Sequence, residues 1–498
     1  MKQLFLTVRS WKLEVIVFLS GAVVMVFEIV GSRLLAPYLG TSIITWTSLI
    51  GVILASLSVG YYVGGRVADR RQSIYWLALT LLLAALSVAF ALLVQKNLLT
   101  ILAAAGWSLE IKSLAAALVL FAPTSFCLGG ILPQAVKLRL HQLDKSGAVV
   151  GGLYALSTVG SLFGTFGAGF YLIPALGTIK IFILLAAILL VLAWLATVGE
   201  GGGRSFVWLV VGGILFVGLS ALAGRSDGTT IDTDTKYSRV FIADGWDGRN
   251  KEPTRFMLIN GGNSSAMYLN DDELVFPYTR FYRLAEHFNP GLRKAVMLGG
   301  AGYSYPKDFL AKLPWAELTV VEIDEGVTAL ARRYFQLPDD PRLLIRHQDA
   351  RLFLNQSQER YDAILGDAFS ALYSLPYQLA TREAVQREYD LLNDDGVVLV
   401  NLISALQGPK SEFLRAEYAT YQSVFPQVYL LPVNDPSNGE AVQNIMLVAL
   451  KSKSAPQWTS VNQEWDGYLK QRWLWPVEPA RILTDDWAPV DYYINKML

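Results

Sequence analysis

The chain has little of what supports disulfide, metal or polyanion chemistry. Its 498 residues include one cysteine, Cys127, inside an apolar stretch. A lone thiol excludes an intrachain disulfide and leaves a cysteine-type metal site without its other ligands. The three histidines, His141, His287 and His347, are scattered with no ligand spacing, so no metal is expected. His347 stands two residues from Asp349, and a histidine at a strand end reads as structural. Lys plus Arg and Asp plus Glu both number 42, and the net charge is zero. A balanced chain has no general attraction for nucleic acid, which is not expected as a partner. Internal repeats and low-complexity tracts are also missing.

What the chain has in excess is apolar length, concentrated in the first 225 residues. Runs of about 20 apolar residues mark membrane helices. Seven such runs lie near 13–35, 43–65, 74–95, 113–135, 148–172, 178–198 and 205–223. The 98–107 run is too short to span and reads as an interfacial or re-entrant piece. The first run is too long, and too closely followed by others, for a cleaved signal peptide. Gly160, Gly164, Gly167 and Gly169 in the fifth run suit close helix packing in lipid.

Basic residues set orientation. Ten fall in the N-terminus and the even-numbered loops, from Lys2 to Arg204; Lys96, Lys112 and Lys180 fall opposite. The expected location is therefore a plasma (inner) membrane, multi-pass, with a cytoplasmic N-terminus. Seven spans then put the C-terminal part outside. That conflicts with a domain built for a cytoplasmic nucleotide, and the side stays open. Gly65–Arg71 resembles the loop between the second and third helices of major-facilitator transporters, and reads first as a charged turn. Glu28, within the first run, is the candidate for a functional intramembrane group.

The second half changes character. Gly199–Arg204 links the last two runs and Gly224–Gly228 leaves the membrane. From Thr230 to Met267 short alternating strands turn at glycines, which predicts a small antiparallel β-domain. Beyond it strands alternate with helical patterns such as Glu325–Phe335 and Thr381–Leu392, which predicts a three-layer α/β domain. The expected divisions are 1–225 for the membrane domain, 226–288 for the β-domain and 289–498 for the Rossmann-like domain.

The stretch Ala295–Ser404 carries the chemistry. Strand 295–298 runs into Gly299-Gly300-Ala301-Gly302. Leu318–Val321 ends on Glu322-Ile323-Asp324, Leu343–Arg346 leads to Asp349-Ala350, and Tyr361–Leu365 ends on Gly366-Asp367. Four strands whose carboxyl ends carry a glycine turn or an acid describe one edge of a parallel sheet, where doubly wound folds bind nucleotides. Glycines let the backbone approach the ligand, and an acid about 20 residues on can accept from ribose hydroxyls. Asp324 reads instead as the N-cap of the helix that follows.

These residues resemble the spermidine synthase family, the polyamine aminopropyltransferases, in a membrane-fused form. The resemblance spans about Asp232–Leu450 plus Leu483–Val490. It rests on Val320–Asp324, Asp349–Leu354, Tyr361–Asp367, Pro376–Glu383 and the tail Leu483-Thr-Asp-Asp-Trp-Ala-Pro-Val. It implies a class I S-adenosylmethionine-type doubly wound sheet behind a small β-domain. It implies decarboxylated S-adenosylmethionine, or S-adenosylmethionine, as the donor, with no metal. Gly299, Gly300, Gly302, Glu322, Asp349 and Ala350 would bind it, Glu322 at the ribose and Asp349 at the adenine amino group. Asp367 would be the base that receives the amine proton, with Tyr278, Ser264 and Ser370 at the acceptor. A small amine or related acceptor, the lipid bilayer and a second copy of the chain are the expected partners.

Several positions depart from the family pattern. The paired acids after the fourth strand become Asp367-Ala368-Phe369-Ser370, and the Tyr-His-Glu triplet becomes Tyr278-Thr279-Arg280. The expected glutamine falls at Ser264, and no aspartate follows Gly302. A diamine needs acids at both ends of its channel. Three readings stay open: an aminopropyltransferase with a non-standard acceptor, another S-adenosylmethionine-dependent transferase such as a methyltransferase, and a non-catalytic nucleotide-sensing domain fused to a transporter-like unit.

Overall fold

A computed structural model describes residues 2–140, 146–198, 211–214, 218, 230–248, 251–368 and 376–497. The chain divides into two compact units, Met1–Asp227 and Gly228–Leu498.

The first unit is helical. Five helices are long and apolar enough to cross a membrane by length and composition: Trp11–Leu39 of α1 (Lys2–Leu39), α2 (Ile43–Arg70), α3 (Ile74–Ala104), the continuous stretch Ser146–Leu176 and α8 (Thr178–Thr197). Ser146–Leu176 comprises α6 (Ser146–Gly167), a π-turn over Ala168–Leu172 and α7 (Ile173–Leu176). A sixth span arises if the bent pair α4 (Leu109–Leu120) and α5 (Ala122–Arg139) counts as one. That pair bends by 52°, where Pro123 has no N–H for the turn before it.

Seven spans are therefore not all seen. The seventh run, 205–223, falls almost wholly outside the described residues, as do both glycine linkers. The 98–107 run is not a separate piece: Leu98–Ala104 is the end of α3. No glycine or proline interrupts the chain until Gly106, so nothing stops the helix earlier.

Small residues let these helices touch backbone to backbone. A Cβ on Gly160 would lie 1.9 Å from the Phe18 carbonyl oxygen, and one on Gly164 2.4 Å from that of Ala22. Gly65–Arg71 is not a loop: Gly65–Arg70 are the last residues of α2 and Arg71 is its C-cap, with Asp69 paired to Lys137 at 2.8 Å and Arg66 stacked over Tyr62. The helix end is thus tied to α5 through Asp69.

The second unit opens with a four-stranded antiparallel sheet in the order β1 (Thr230–Asp234), β2 (Arg239–Trp246), β3 (Pro253–Ile259), β4 (Gly262–Tyr268). Two short helices follow, α9 (Pro277–Phe281) and α10 (Leu284–Phe288). The main sheet then alternates with helices: β5 (Lys294–Leu298), α11 (Ser304–Lys312), β6 (Glu317–Val321), α12 (Glu325–Tyr334), β7 (Leu343–Arg346), α13 (Ala350–Gln356), β8 (Tyr361–Gly366), α14 (Arg382–Leu391), β9 (Leu392–Ser404), α15 (Glu412–Gln422), β10 (Gln427–Pro432) and β11 (Gln443–Leu450). The order across the sheet is β10-β11-β9-β8-β5-β6-β7, with β11 antiparallel to both of its neighbours and the rest parallel. Order reverses between β5 and β8, the switch point at which such sheets take ligands.

Parallel strands are buried on both faces, which is why these read as unbroken apolar runs. Ala295 and Met297 face one core cluster and Val296 and Leu298 the other, all within 3% exposure. Each large side chain buried this way contributes about 1.5–3 kcal/mol. Asp394-Asp395-Gly396 reads as a turn but lies inside β9. Tyr361 pairs with Leu392 and Ala363 with Val397, so the extra residues bulge out of the ladder.

Behind the sheet α14 and α15 bury two glutamates. Glu417 is fully buried with neither carboxyl oxygen hydrogen-bonded, and Glu388 accepts from Tyr421 Oη at 2.8 Å. Burial pushes Glu388 up from 4.5 to about 8 and Glu417 well above its ordinary value, the latter also because Glu388 is near. A carboxyl whose folded pKa is raised costs stability as pH climbs from its unfolded value to its folded one. The slope is up to about 1.4 kcal/mol per pH unit and group. Glu417→Met should raise the melting temperature at pH 8, with the gap over the parent closing towards pH 5. Parallel melting curves across that range would show that these carboxyls are not neutral in the fold.

Candidate functional site

Four strand ends stand side by side in the order β8, β5, β6, β7, and carry Asp367, Gly299, Glu322 and Asp349 in turn. The junction is tight. Gly299 N donates to Val321 O and Asp367 N to Leu298 O, both at 2.9 Å. Gly299 has φ +95°, and a Cβ there would lie 2.4 Å from the Asp367 carbonyl oxygen. Only glycine satisfies both the angle and the approach.

Glu322 builds the glycine turn. Its Oε2 accepts from Gly300 N at 3.0 Å and Ala301 N at 3.1 Å, and its Oε1 accepts from Asp324 N at 3.0 Å. Gly302 N donates to Ser265 Oγ at 2.8 Å. Ser264, the residue singled out in the sequence, donates to Gly262 O instead. A register shift between Met257 and Leu258 pairs Met257 with Ser265 and Leu258 with Asn263. Ser264 is left as the extra residue of the bulge, and a one-residue slip exchanges the faces of a strand.

Asp349 caps α13, accepting from Leu352 N at 3.0 Å, with Ala350 as the first residue of that helix. Asp324 caps α12 through Gly326 N. It also takes hydrogen bonds from Thr235 Oγ1 and Tyr237 N, which ties the small sheet to the main one. His347 contacts Thr328 Oγ1, which also meets Tyr303 Oη. Ser370 lies outside the described residues.

Asp367 sits among neutral partners. Tyr278 Oη donates to its Oδ2 at 3.1 Å and Asn401 Nδ2 to its Oδ1 at 3.3 Å. Asn401 is 1% exposed and is itself held by Asn444 Nδ2 at 3.0 Å. Tyr282 Oη donates to Gly366 O at 2.6 Å. Burial pushes Asp367 up to about 6, while the bonds from Asn401 and Tyr278 pull it down. Burial, then the nearby Asp367, raises the Tyr278 phenol well above 10, so it stays a donor. Neither Asn401 nor Asn444 was singled out from the sequence. An amide inside an apolar strand (Val397–Leu402) was the available signal, since buried polar groups need partners. Beside Tyr278, Thr279 donates to Phe276 O, and Arg280 donates twice to Leu274 O, at 3.1 and 2.8 Å.

Gathered this way, the switch point holds a close-approach glycine turn, two acids fixed by backbone amides and one carboxyl poised near neutrality. A sheet so equipped is a Rossmann-type α/β domain with a ligand edge. The family described as the spermine/spermidine synthase domain matches residues 281–456. A polyamine aminopropyltransferase of Pyrobaculum calidifontis is 30% identical over 230 residues, covering 42% of this chain and 72% of its own. One of Vibrio vulnificus is 28% identical over 246 residues, covering 44% and 76%. Polyamine aminopropyltransferase 1 of Streptomyces coelicolor is 24% identical over 429 residues, covering 79% and 76%. That last match is longer than the second unit, so it reaches into the helical half. The chain belongs to the spermidine synthase family.

The hydrogen bonds to Asp367 give a direct test of its setting. Asn401→Leu removes a donor that favours the ionised form, so the Asp367 carboxyl should titrate above about 6. Infrared difference spectra of the protonated carboxyl stretch across pH 4–9 would follow it. An unchanged midpoint would remove Asn401 from the control of that group.

Proposed function

We propose that the second unit transfers an aminopropyl group from decarboxylated S-adenosylmethionine to an amine less cationic than a diamine. Asp367 carries the reading: it is a partly buried carboxyl at the switch point, against Gly299, with a pKa raised to about 6 and no cationic partner among the described residues bonded to it. The printed names of the relatives support the reaction class. Glu322 and the glycine turn would face the ribose and the sulfonium side of the donor, with Asp349 and Ala350 at the adenine. Tyr278, Ser264 and Ser370 would stand on the acceptor side.

The chemistry balances as follows. The amine lone pair attacks the propyl carbon next to the sulfonium, the carbon–sulfur bond breaks, and methylthioadenosine leaves neutral. The new ammonium gives its proton to Asp367. An amine attacks only when unprotonated, and a carboxylate beside it orients it and takes the proton. Thr279 and Arg280 support the non-standard acceptor. They stand where the family has histidine and glutamate, and both are spent on main-chain carbonyls.

General-base help is worth roughly 10²–10⁴-fold, so Asp367→Asn should abolish turnover while leaving donor affinity within a few-fold. In the parent the rate should fall about tenfold per pH unit below about 6, because the base must be ionised. Membranes incubated with donor and a panel of amines, with products read by mass spectrometry, provide the assay. Transfer that survives in Asp367→Asn would take it out of the mechanism. Silence in both proteins, with donor binding intact, would favour a sensing domain.

We also infer a membrane-embedded first unit with its N-terminus in the cytoplasm, supported by the apolar helices and the distribution of basic residues. The seven-run count expects protease added to intact spheroplasts to cut the second unit and spare the basic end of α2, whereas six spans would leave the second unit protected. Protection of the second unit would put it in the cytoplasm beside its donor.

A further inference from the structure

One side chain that joins distant parts of the second unit stands beside a strand-end acid without being one. Arg351, two residues after Asp349, is 14% exposed at its side chain. Its Nη1 donates to Asp485 Oδ1 at 3.0 Å and its Nη2 to Asp485 Oδ2 at 2.7 Å, a bidentate pair across 134 residues. The same Nη1 reaches Gln378 O at 2.7 Å and Thr381 Oγ1 at 2.8 Å. Thr381 Oγ1 in turn donates to Asp485 Oδ1 at 2.7 Å.

Asp485 is a fixed anchor. Leu483, two residues before it, is pinned on both sides, its N–H donating to Thr420 Oγ1 and its carbonyl accepting from Arg382 N, both at 2.9 Å. The other end of the fork is the part that needs holding. Helix α13 has seven residues, and a helix this short draws little stability from its own hydrogen bonds. Its first turn is set by two side chains: Asp349, which caps it, and Arg351, which ties it sideways.

We propose that Arg351 is a positioning residue for donor binding, holding the first turn of α13, and with it Asp349 and Ala350, against the C-terminal segment through Asp485. The inference rests on the donor-binding reading above. An exposed ion pair contributes little, but a half-enclosed fork with two further acceptors is directional and cannot be matched by lysine. Donor affinity then depends on a carboxylate far outside the strand-end motifs.

The test uses the full chain in detergent, with methylthioadenosine as the probe in calorimetry. Arg351→Met and Asp485→Asn should each weaken it by about tenfold, and the double variant should lose no more than either alone. Arg351→Lys should fall between Met and the parent. In turnover the donor KM should rise by the same factor with kcat within threefold. A merely structural role would lower the fraction of binding sites and leave the affinity of the remainder unchanged. Asp485→Asn, at a half-exposed position, keeps the test open if Arg351→Met fails to fold. Affinity within twofold of the parent in Asp485→Asn, or additive losses in the double variant, overturns the inference alone. No binding of methylthioadenosine by the unaltered chain overturns the donor reading and this inference with it.

Discussion

The chemistry of the second unit depends on how closely two strand ends approach. Gly299 lies against the main-chain carbonyl of Asp367, 2.4 Å from where a Cβ would sit, at a φ that side chains avoid. The approach is possible because β5 pairs in parallel with both β6 and β8, and because that pairing runs one bond past each strand. Any side chain at Gly299 would push β8 away and take Asp367 out of line with the glycine turn. The sheet's register and the position of its carboxyl are thus one constraint.

That approach has a conformational cost. Beyond Gly299, Ala301 and Tyr303 also have positive φ, at 44° and 56°. Non-glycine residues held there cost on the order of 1–3 kcal/mol each. Glu322 offsets part of this by accepting two consecutive amides of the turn, and Ser265 accepts the amide of Gly302. The Tyr303 ring is fully buried, with its hydroxyl on Thr328. Ser265 belongs to the small antiparallel sheet, and Asp324 bonds back to Thr235 and Tyr237 of the same sheet. The turn is therefore shaped from two directions, and the small sheet helps to build the carboxyl edge of the main one.

The strand ends were legible in the sequence for a physical reason. A parallel strand buried on both faces leaves an unbroken apolar run, and its ligand end must carry residues unsuited to a core. Glycine after Leu298, and acids after Val321, Arg346 and Gly366, meet that description at regular spacing. The helix cap at Asp324 was legible because short polar side chains pair with free amides. What could not be read depends on contacts between distant residues or on single-residue slips. The bulge in β4 hands the glycine turn to Ser265 rather than Ser264, and the bulge in β9 turns an apparent reverse turn into strand. The burial of Glu388 and Glu417 has no sequence signal, since both sit on helices with ordinary charged faces. The 134-residue pairing of Arg351 with Asp485 left two motifs visible and their meeting hidden. In the helical half, composition marked where spans lie. The end of α3 depended on where the first helix-breaking glycine falls.

Charge arithmetic at Asp367 bears on what the site accepts. In the proposed step the donor carries two positive charges, the sulfonium and the ammonium of the aminopropyl group, and the ionised Asp367 one negative charge. Afterwards the nucleotide is neutral and the proton released by the amine has neutralised the carboxyl. One acid therefore answers the charge that the reaction consumes, while the aminopropyl ammonium stays cationic throughout, and a pKa near 6 suits a group that starts ionised and ends protonated. A second ammonium on the acceptor would need a second carboxylate at the far end, because an unpaired charge in a half-buried channel is costly. Tyr278, Tyr282 and Asn401 around Asp367 are neutral, and Arg280 beyond them is cationic. On the proposed reaction, these surroundings would set an upper limit on the charge of the acceptor. Burial is what raises the carboxyl, and among the described residues no cation is bonded to it to reverse that effect.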